Sequence, residues 1–406
     1  MAWKETCVLD EKLRFVVAHL SGDFTMTELC ATFGISRQTG YDLVRRHRAE
    51  GAAGLAPRSR APHRPGNAMA GEIAAAIVAL REAHPFWGPK KLRAKLLQRA
   101  PQETWPAAST IGDLLRREGL VGPRPRRRAA PAPARPFAPV TAPNDLWCID
   151  FKGWFRTRDG VRCDPLTLSD ADSRYLLACQ IVAPTEAGVR PVVERAMREH
   201  GLPRALRSDN GAPFASCGAG GLTRLSVHWL KLGVSLERIA PGRPEQNGRH
   251  ERLHGTLKRE TARPPAANAA AQQARFDTFR RIYNEERPHE GLAMATPASR
   301  YVAAPRPWPA RLEEPVYDAD HAVRRVRSNG QIKWGGEMVF VGEALIGEPV
   351  GVAETPDGDW IVRFAGVDLG LIDRHTKKLR RFAAPRPGRG EAAEQTRKTV
   401  NHVSGP

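Results

Sequence analysis

Three acidic residues, far apart in the chain, constrain its fold more than any other feature. Asp150 stands inside Trp147-Cys-Ile-Asp-Phe151, a run otherwise made of strand formers and a small cysteine. Alternation over Leu146–Phe155 puts Trp147, Ile149 and Phe151 on one face and Cys148 and Asp150 on the other. Aspartate is depleted from strands, and a buried one without a partner is costly. A neighbouring cation explains it well; a strand face open to water is the plainer alternative. Asp209 ends the short run Arg204–Ser208 in Ser-Asp-Asn-Gly, by itself only a turn signal. Glu251 lies in an expected helix over Glu245–Thr261, where Glu251, His254 and Lys258 share one face. Each acid alone has an ordinary surface reading. Three acids would suffice to hold metal ions only if the fold converges a mid-strand acid, a strand-end acid and a helical acid.

At 406 residues the chain has room for about three domains. Lys and Arg number 63 against 44 Asp and Glu, a net +19, and such an excess favours a polyanionic partner. The excess is uneven: residues 1–143 carry 23 basic and 12 acidic side chains, residues 144–303 carry 24 and 18, and residues 304–406 carry 16 and 14. The first third is therefore the expected principal duplex-holding part. Six cysteines lie far apart with no Cys-x-x-Cys pair, which reads as small buried hydrophobes in a reducing compartment. No secretory signal is apparent at Met-Ala-Trp-Lys-Glu, and no apolar run approaches about eighteen residues. A cytoplasmic, nucleoid-associated protein is expected, without a membrane partner.

Residues 1–56 read as a helix-turn-helix domain. Leu13, Val16, Val17 and Leu20 recur at helical spacing as one expected buried stripe. Thr25-Met-Thr-Glu28 is a capping box, Gly34 closes the second helix, and Ser36 caps a third over Arg37–Glu50. That third helix presents Arg37, Gln38, Thr39, Tyr41, Arg45 and Arg46 to duplex DNA, with its first turn in the major groove. Gly40 within it implies either close backbone approach or tolerated drift.

Residues 57–69 read as a linker. Residues 70–121 read as a second helical unit of helix-turn-helix or winged-helix type, with Ser109 capping its last helix and Lys90, Lys91, Arg93 and Lys95 near phosphate. Residues 122–143 form a basic, Pro-rich linker, either tracking a phosphate backbone or acting as a spacer. From 144 to 303 the order β-β-β-α-β-α fits an α/β layer fold with a mixed sheet. Short strands separated by Gly-rich turns over 315–382 suggest a small β-barrel. Residues 383–406 have the composition of a disordered tail.

Asp150, Ser208-Asp-Asn-Gly211, Pro241-x-x-Pro244-x-x-Asn247-Gly-x-x-Glu251, Tyr283-Asn284-x-x-Arg287-Pro288-His289 and Thr296-Pro297 appear in this order. The pattern resembles the catalytic core of insertion-sequence transposases of the DDE integrase-core superfamily. The likeness is strong over about 145–301 and weaker toward the ends. It implies a ribonuclease-H-like core in which Asp150, Asp209 and Glu251 are the catalytic, metal-holding acids, not Glu245. Asp150 would bridge two Mg²⁺ or Mn²⁺ ions, with Asp209 and Glu251 each holding one. Asn210 would support the Asp209 loop, and His254 and Lys258 would position phosphate. The resemblance also implies metal-dependent strand cleavage and 3′-hydroxyl strand transfer on double-stranded DNA, by a homodimer or larger assembly. A regulator with a relic, inactive core and a nuclease without strand transfer are the alternatives. Between Asp209 and Glu251 lie 41 residues, more than the resemblance implies. The surplus falls in Ala215–Gly221, which either holds a DNA flank or is neutral.

Overall fold

A computed structural model describes residues 7–57, 69–122, 139–239 and 248–382. Most of both expected linkers, the expected tail and Pro241–Asn247 lie outside the described residues. The chain divides into two compact units, Met1–Gly71 and Glu72–Pro406.

The first unit holds α1 (Val8–Leu20), α2 (Met26–Thr32) and α3 (Arg37–Glu50), followed by a 3₁₀ turn over Gly51–Leu55. Thr25 and Glu28 cap each other at the start of α2, with Thr25 N donating to Glu28 Oε2 at 2.8 Å. Gly34 turns the chain at φ 63°, and Ser36 Oγ accepts from Thr39 N at 3.2 Å to cap α3. The core is Phe15, Val16, Leu29, Cys30, Leu43, Val44 and Leu55.

The expected α1 stripe is corrected. Val16 is buried, but Leu13, Val17 and Leu20 are 39%, 58% and 57% exposed. A unit this small buries only a narrow edge of each helix, and Phe15, packed edge-on against Phe33, fills the corner beside Val16. Gly40 is settled as close approach: a Cβ there would lie 2.8 Å from Cys30 Sγ and 2.9 Å from Met26 Sδ and Phe15 Cζ.

The second unit begins with α4 (Gly71–Ala83), α5 (Pro89–Arg99) and α6 (Ala108–Arg117). Ile77, Leu80, Leu92, Leu96, Ile111, Leu114 and Leu115 are buried along them. Trp87 is buried and stacked on His84 at 3.8 Å, whereas its neighbour Phe86 is exposed. Ser109 does not cap α6; the cap position is Ala107 and Ser109 is already inside the first turn. Arg93 Nε donates to the Pro106 carbonyl at 3.0 Å, fixing the chain just ahead of the helix.

A mixed five-stranded sheet follows. Its strands are β1 (Leu146–Phe151), β4 (Pro165–Asp170), β5 (Leu176–Ile181), β6 (Ala205–Ser208) and β7 (Ser235–Arg238), with a small hairpin of β2 (Phe155–Arg156) and β3 (Arg162–Cys163) between the first two. The sheet order is β5-β4-β1-β6-β7; β5, β4 and β1 run antiparallel, while β6 and β7 are parallel to β1 and to each other.

Helices α7 (Glu186–His200) and α8 (Arg224–Lys231) pack on the face carrying Trp147, Ile149, Leu166 and Leu168. Helices α9 (Gly248–Thr261) and α10 (Ala269–Arg281) pack on the other face, through Leu253, Leu257, Phe276 and Phe279 against Leu176 and Cys179. Asn284 lies just beyond α10 and bonds both backbone groups of Leu176, at 2.8 and 3.0 Å. The buried Arg287 pairs with Glu260 of α9. The Tyr-Asn-x-x-Arg motif thus ties the start of β5 and the end of α9 to the closing segment.

Beyond the core lie β8 (Ala322–Arg325), β9 (Gln331–Trp334), β10 (Glu337–Phe340), β11 (Pro349–Glu354), β12 (Trp360–Phe364), β13 (Val367–Ile372) and β14 (Leu379–Arg381). They form an open antiparallel sheet, β14-β13-β12-β11-β8, and a separate β9–β10 hairpin. The expected barrel is therefore corrected: no strand pairing closes it among the described residues. Part of what closure would bury is covered instead by the segment and helix that follow β6. Ala219, Leu222 and Val227 share one core with Val350, Val362, Phe364 and Leu369. Lys231 pairs with Glu348 at 2.9 Å, both largely buried. The surplus stretch Ala215–Gly221 thus serves as part of the seat for the C-terminal sheet.

Four cysteines are buried, while Cys7 and Cys217 are exposed. No helix among the described residues is long and apolar enough to cross a membrane. Gly40→Ala is expected to overpack the α2–α3 crossing and destabilise the first unit by about 1–3 kcal/mol. Thermal melting of the chain and its Gly40 variant checks this, and an unchanged first-unit transition contradicts it.

Candidate active site and nucleic-acid surfaces

The β1–β6 register decides the site. Leu146, Trp147 and Cys148 stand opposite Ala205, Leu206 and Arg207 on a parallel strand. Two residues beyond the last pair come Asp150 and Asp209, at the carboxyl end of adjacent strands. Glu251 lies in the first turn of α9 and is exposed. Burial, then the charge of Asp209 and the weaker influence of Glu251, push the Asp150 carboxyl up to about 7. Asp209 is also raised by burial, opposed by its bond from Gly211 N at 3.2 Å. The charges of Asp209 and Glu251 thus both disfavour ionisation of Asp150.

Asn210 Nδ2 donates to the Ile239 carbonyl at 2.6 Å, tying the Asp209 loop to the end of β7. His254 Nδ1 lies 3.9 Å from Asp150 Oδ2. Burial and the nearby His250 and Lys152 hold His254 down to about 2. Lys258 is exposed, about two turns beyond Glu251 on α9.

Two neighbours escaped the sequence reading. Lys152, two residues past Asp150, is pushed down to about 8 by burial and by the like charges of Lys258 and Arg263. His250 is buried and held down to about 4 by burial. Nitrogens of His250 and His254 and an Asp150 oxygen all lie within 4.8 Å of one another. The i, i+4 spacing in His250-Glu-Arg-Leu-His254 carries the signal for the pair, whereas the surroundings of Lys152 leave no local trace in the sequence.

In the first unit, Arg37, Gln38, Thr39, Tyr41 and Arg45 are exposed along α3. Thr39 Oγ1 is engaged by Ser36 Oγ at 2.9 Å, and Arg45 is paired with Asp42. Arg46 turns inward, donating from Nη2 to the Ala56 carbonyl at 2.7 Å. In the second unit Lys90 and Lys91 lie 3.5 and 3.8 Å from Glu290. Lys91 is largely buried, so an acid of the closing segment already balances it.

Comparison with known proteins adds independent findings. The family described as "Integrase core domain" matches residues 232–297. "Helix-turn-helix domain" matches residues 11–63, and "Homeodomain-like domain" residues 39–115. "IS481 family transposase, C-terminal domain" matches residues 321–380. An uncharacterized 31.7 kDa protein of insertion element IS407 from Burkholderia multivorans is 31% identical over 56% of this chain and 79% of its own length. An uncharacterized 39.2 kDa protein of insertion element IS476 from Xanthomonas euvesicatoria is 27% identical over 56% of this chain and 63% of its own length. Among solved structures, the HTLV-2 integrase catalytic core domain aligns with a TM-score of 0.32 and 14% identity, over 39% of this chain and 97% of that one. With integrase-core, helix-turn-helix and transposase C-terminal matches in one chain beside insertion-element relatives, the chain belongs to the insertion-sequence transposases of the integrase-core superfamily.

Proposed function

We propose that the chain binds the ends of its insertion element as duplex DNA and cuts and joins strands there in a divalent-cation-dependent reaction. One observation carries the reading: Asp150 and Asp209 stand at the carboxyl ends of adjacent parallel strands, and burial together with the charges of Asp209 and Glu251 raises the Asp150 carboxyl.

The donor set fits a hard divalent cation. Carboxylate oxygens are what Mg²⁺ and Mn²⁺ prefer. Burial raises both Asp150 and Asp209, and the charge of Asp209 raises Asp150 further, so a cation there would be favoured. Asp150, Asp209 and Glu251 would hold a pair of such ions. Two bound cations in such a site activate the attacking oxygen and stabilise the leaving one.

The chain's own residues do the rest. Lys152 and Lys258 supply positive charge beside the acids; Lys152 is lowered first by burial and then by Lys258 and Arg263, and a DNA phosphate would offset that repulsion. Asn210 keeps the Asp209 loop against β7. Arg37 and Gln38, in the first turn of α3, offer donors matched to base edges in a major groove. Arg45 supplies phosphate contact, and Lys90 keeps an exposed ammonium for the same purpose. Holding two element ends at once calls for at least a dimer.

Purified protein, a labelled duplex carrying the element terminus and Mg²⁺ or Mn²⁺ test the reading on a denaturing gel. Nicked and joined products are expected, falling by at least about a hundredfold in Asp150→Asn, Asp209→Asn or Glu251→Gln while end binding persists. Specific binding without cleavage by the unaltered chain would favour a regulator with an inactive core. Products from the unaltered chain that persist in all three variants would dismiss these acids.

For the α3 surface, Arg37→Ala is expected to cost about 1–3 kcal/mol at one base position, and Arg45→Ala to weaken all sequences alike and flatten the salt dependence. Binding titrations at several salt concentrations separate the two effects.

The acid site also makes a pH prediction. Because Asp150 is raised when folded, its ionisation opposes folding, without effect below its unfolded value and in full above about 7. In cation-free buffer Asp150→Asn is expected to raise stability above pH 7, by roughly 1–3 kcal/mol after allowance for screening. The gain should fade as pH falls toward 4. Denaturant melts across pH measure this, and a gain independent of pH would contradict the assigned cause.

A further inference from the structure

Thr167 stands directly across the β1–β4 ladder from Asp150. Its hydroxyl donates to the Asp150 backbone carbonyl at 3.2 Å. The same oxygen lies 2.6 Å from His250 Nε2 and 2.7 Å from His254 Nε2. A hydroxyl carries one proton and two lone pairs. With its proton committed to the carbonyl, it accepts from both rings, so both histidines carry their proton on Nε2. Ser169 Oγ lies 3.2 Å from His250 Nδ1 and completes the pattern by donating to it. Every polar group in this cluster then has a compatible partner except His254 Nδ1, whose lone pair faces the Asp150 carboxyl.

We propose that Thr167 is a positioning residue of the active site, and that His250 and His254 are its two levers. One hydroxyl grips the backbone at Asp150 and, through rings four residues apart, the first turn of α9. Glu251 sits between those rings in sequence, so the grip sets the approach of the third acid to the first. The two imidazoles are largely removed from water, where neutral rings are favoured. Losing the shared acceptor would leave two buried N–H groups unsatisfied. His-x-x-x-His spacing beside an aspartate also suits a softer metal. In this proton pattern, however, both His250 nitrogens are occupied by hydroxyls. The proposal rests on reading Asp150 and Glu251 as parts of one site.

Thr167→Val keeps the shape and removes the hydroxyl; Thr167→Ser keeps the hydroxyl. Backbone amide exchange, measured without metal or DNA, reads the brace independently of any reaction. Thr167→Val is expected to speed exchange in residues 248–254 by roughly tenfold while the β1–β4 amides hold, and Thr167→Ser to restore protection. In the nicking assay the valine variant should need several-fold more Mg²⁺ for half-maximal rate, with end binding unchanged. If Thr167→Val fails to fold, His250→Gln, which retains a donor, is compared with His250→Leu, and only the leucine variant should lose protection. Unchanged exchange in Thr167→Val, or equal damage in the serine variant, overturns the proposal. A cobalt(II) visible absorption band that depends on His250 overturns it in favour of a metal site. Should the unaltered chain fail to nick, the catalytic reading falls, while the exchange data still decide the brace.

Discussion

The parallel pairing of β1 with β6 is the constraint on which the rest depends. It aligns Cys148 with Arg207 and so delivers Asp150 and Asp209 to neighbouring strand ends. Like charges so placed work against folding: burial and Asp209 together carry Asp150 to about 7. A chain selected for stability alone would not keep this arrangement, because replacing an opposed buried acid commonly stabilises a protein. Stability lost where titratable groups converge is the pattern expected of a chemical site.

The two faces of the sheet share the labour that such a site requires. Trp147, Ile149, Leu166 and Leu168 form an apolar floor under α7 and α8, rigid enough to hold strand ends against electrostatic repulsion. The opposite face is mixed: Leu253 and Leu257 anchor α9 on Leu176 and Cys179, while Thr167, His250 and His254 meet nearer the acids. Placing the third acid on a helix, rather than on a third strand, lets its approach be set by side-chain bonds. The segment following Asp209 has a second duty. Ala219 and Leu222 are buried against the C-terminal sheet, so the interval from Asp209 to Glu251 is lengthened by a docking element.

The sequence was legible where local chemistry is sufficient. Thr25 with Glu28 and Ser36 with Thr39 announced helix starts that need no tertiary support, and the order of the three acids pointed to the core. It was opaque where context decides. Strands β7, β8 and β14 went unseen: Ser-Leu-Glu-Arg, Ala-Val-Arg-Arg and Leu-Arg-Arg lack an apolar pattern, and each lies at a sheet edge. Charged edge strands discourage unwanted pairing, and the same charges hide them from a search for periodicity. Leu13, Val17 and Leu20 misled in the opposite way, since helical spacing of apolar residues does not say which edge of a helix a small core can reach. His250 was overlooked because one polar residue in an amphipathic helix gives no local sign that it is buried.

The same limit applies to the basic residues, and it changes what the net charge means. Arg46 is committed to the Ala56 carbonyl, Lys91 to Glu290 and Arg287 to Glu260. These cations were counted toward a polyanion, yet each satisfies a carbonyl or carboxylate of its own fold. Desolvating a cation is costly, so one already matched inside the protein gains little by turning to phosphate. Arg37, Gln38 and Tyr41 remain exposed on α3, as does the Lys90 ammonium despite its nearby acid. Under the proposed function, fewer residues than the charge excess suggests are free to contact DNA. On the proposed reading, their placement on the first turns of α3, rather than their number, would permit a particular sequence to be chosen.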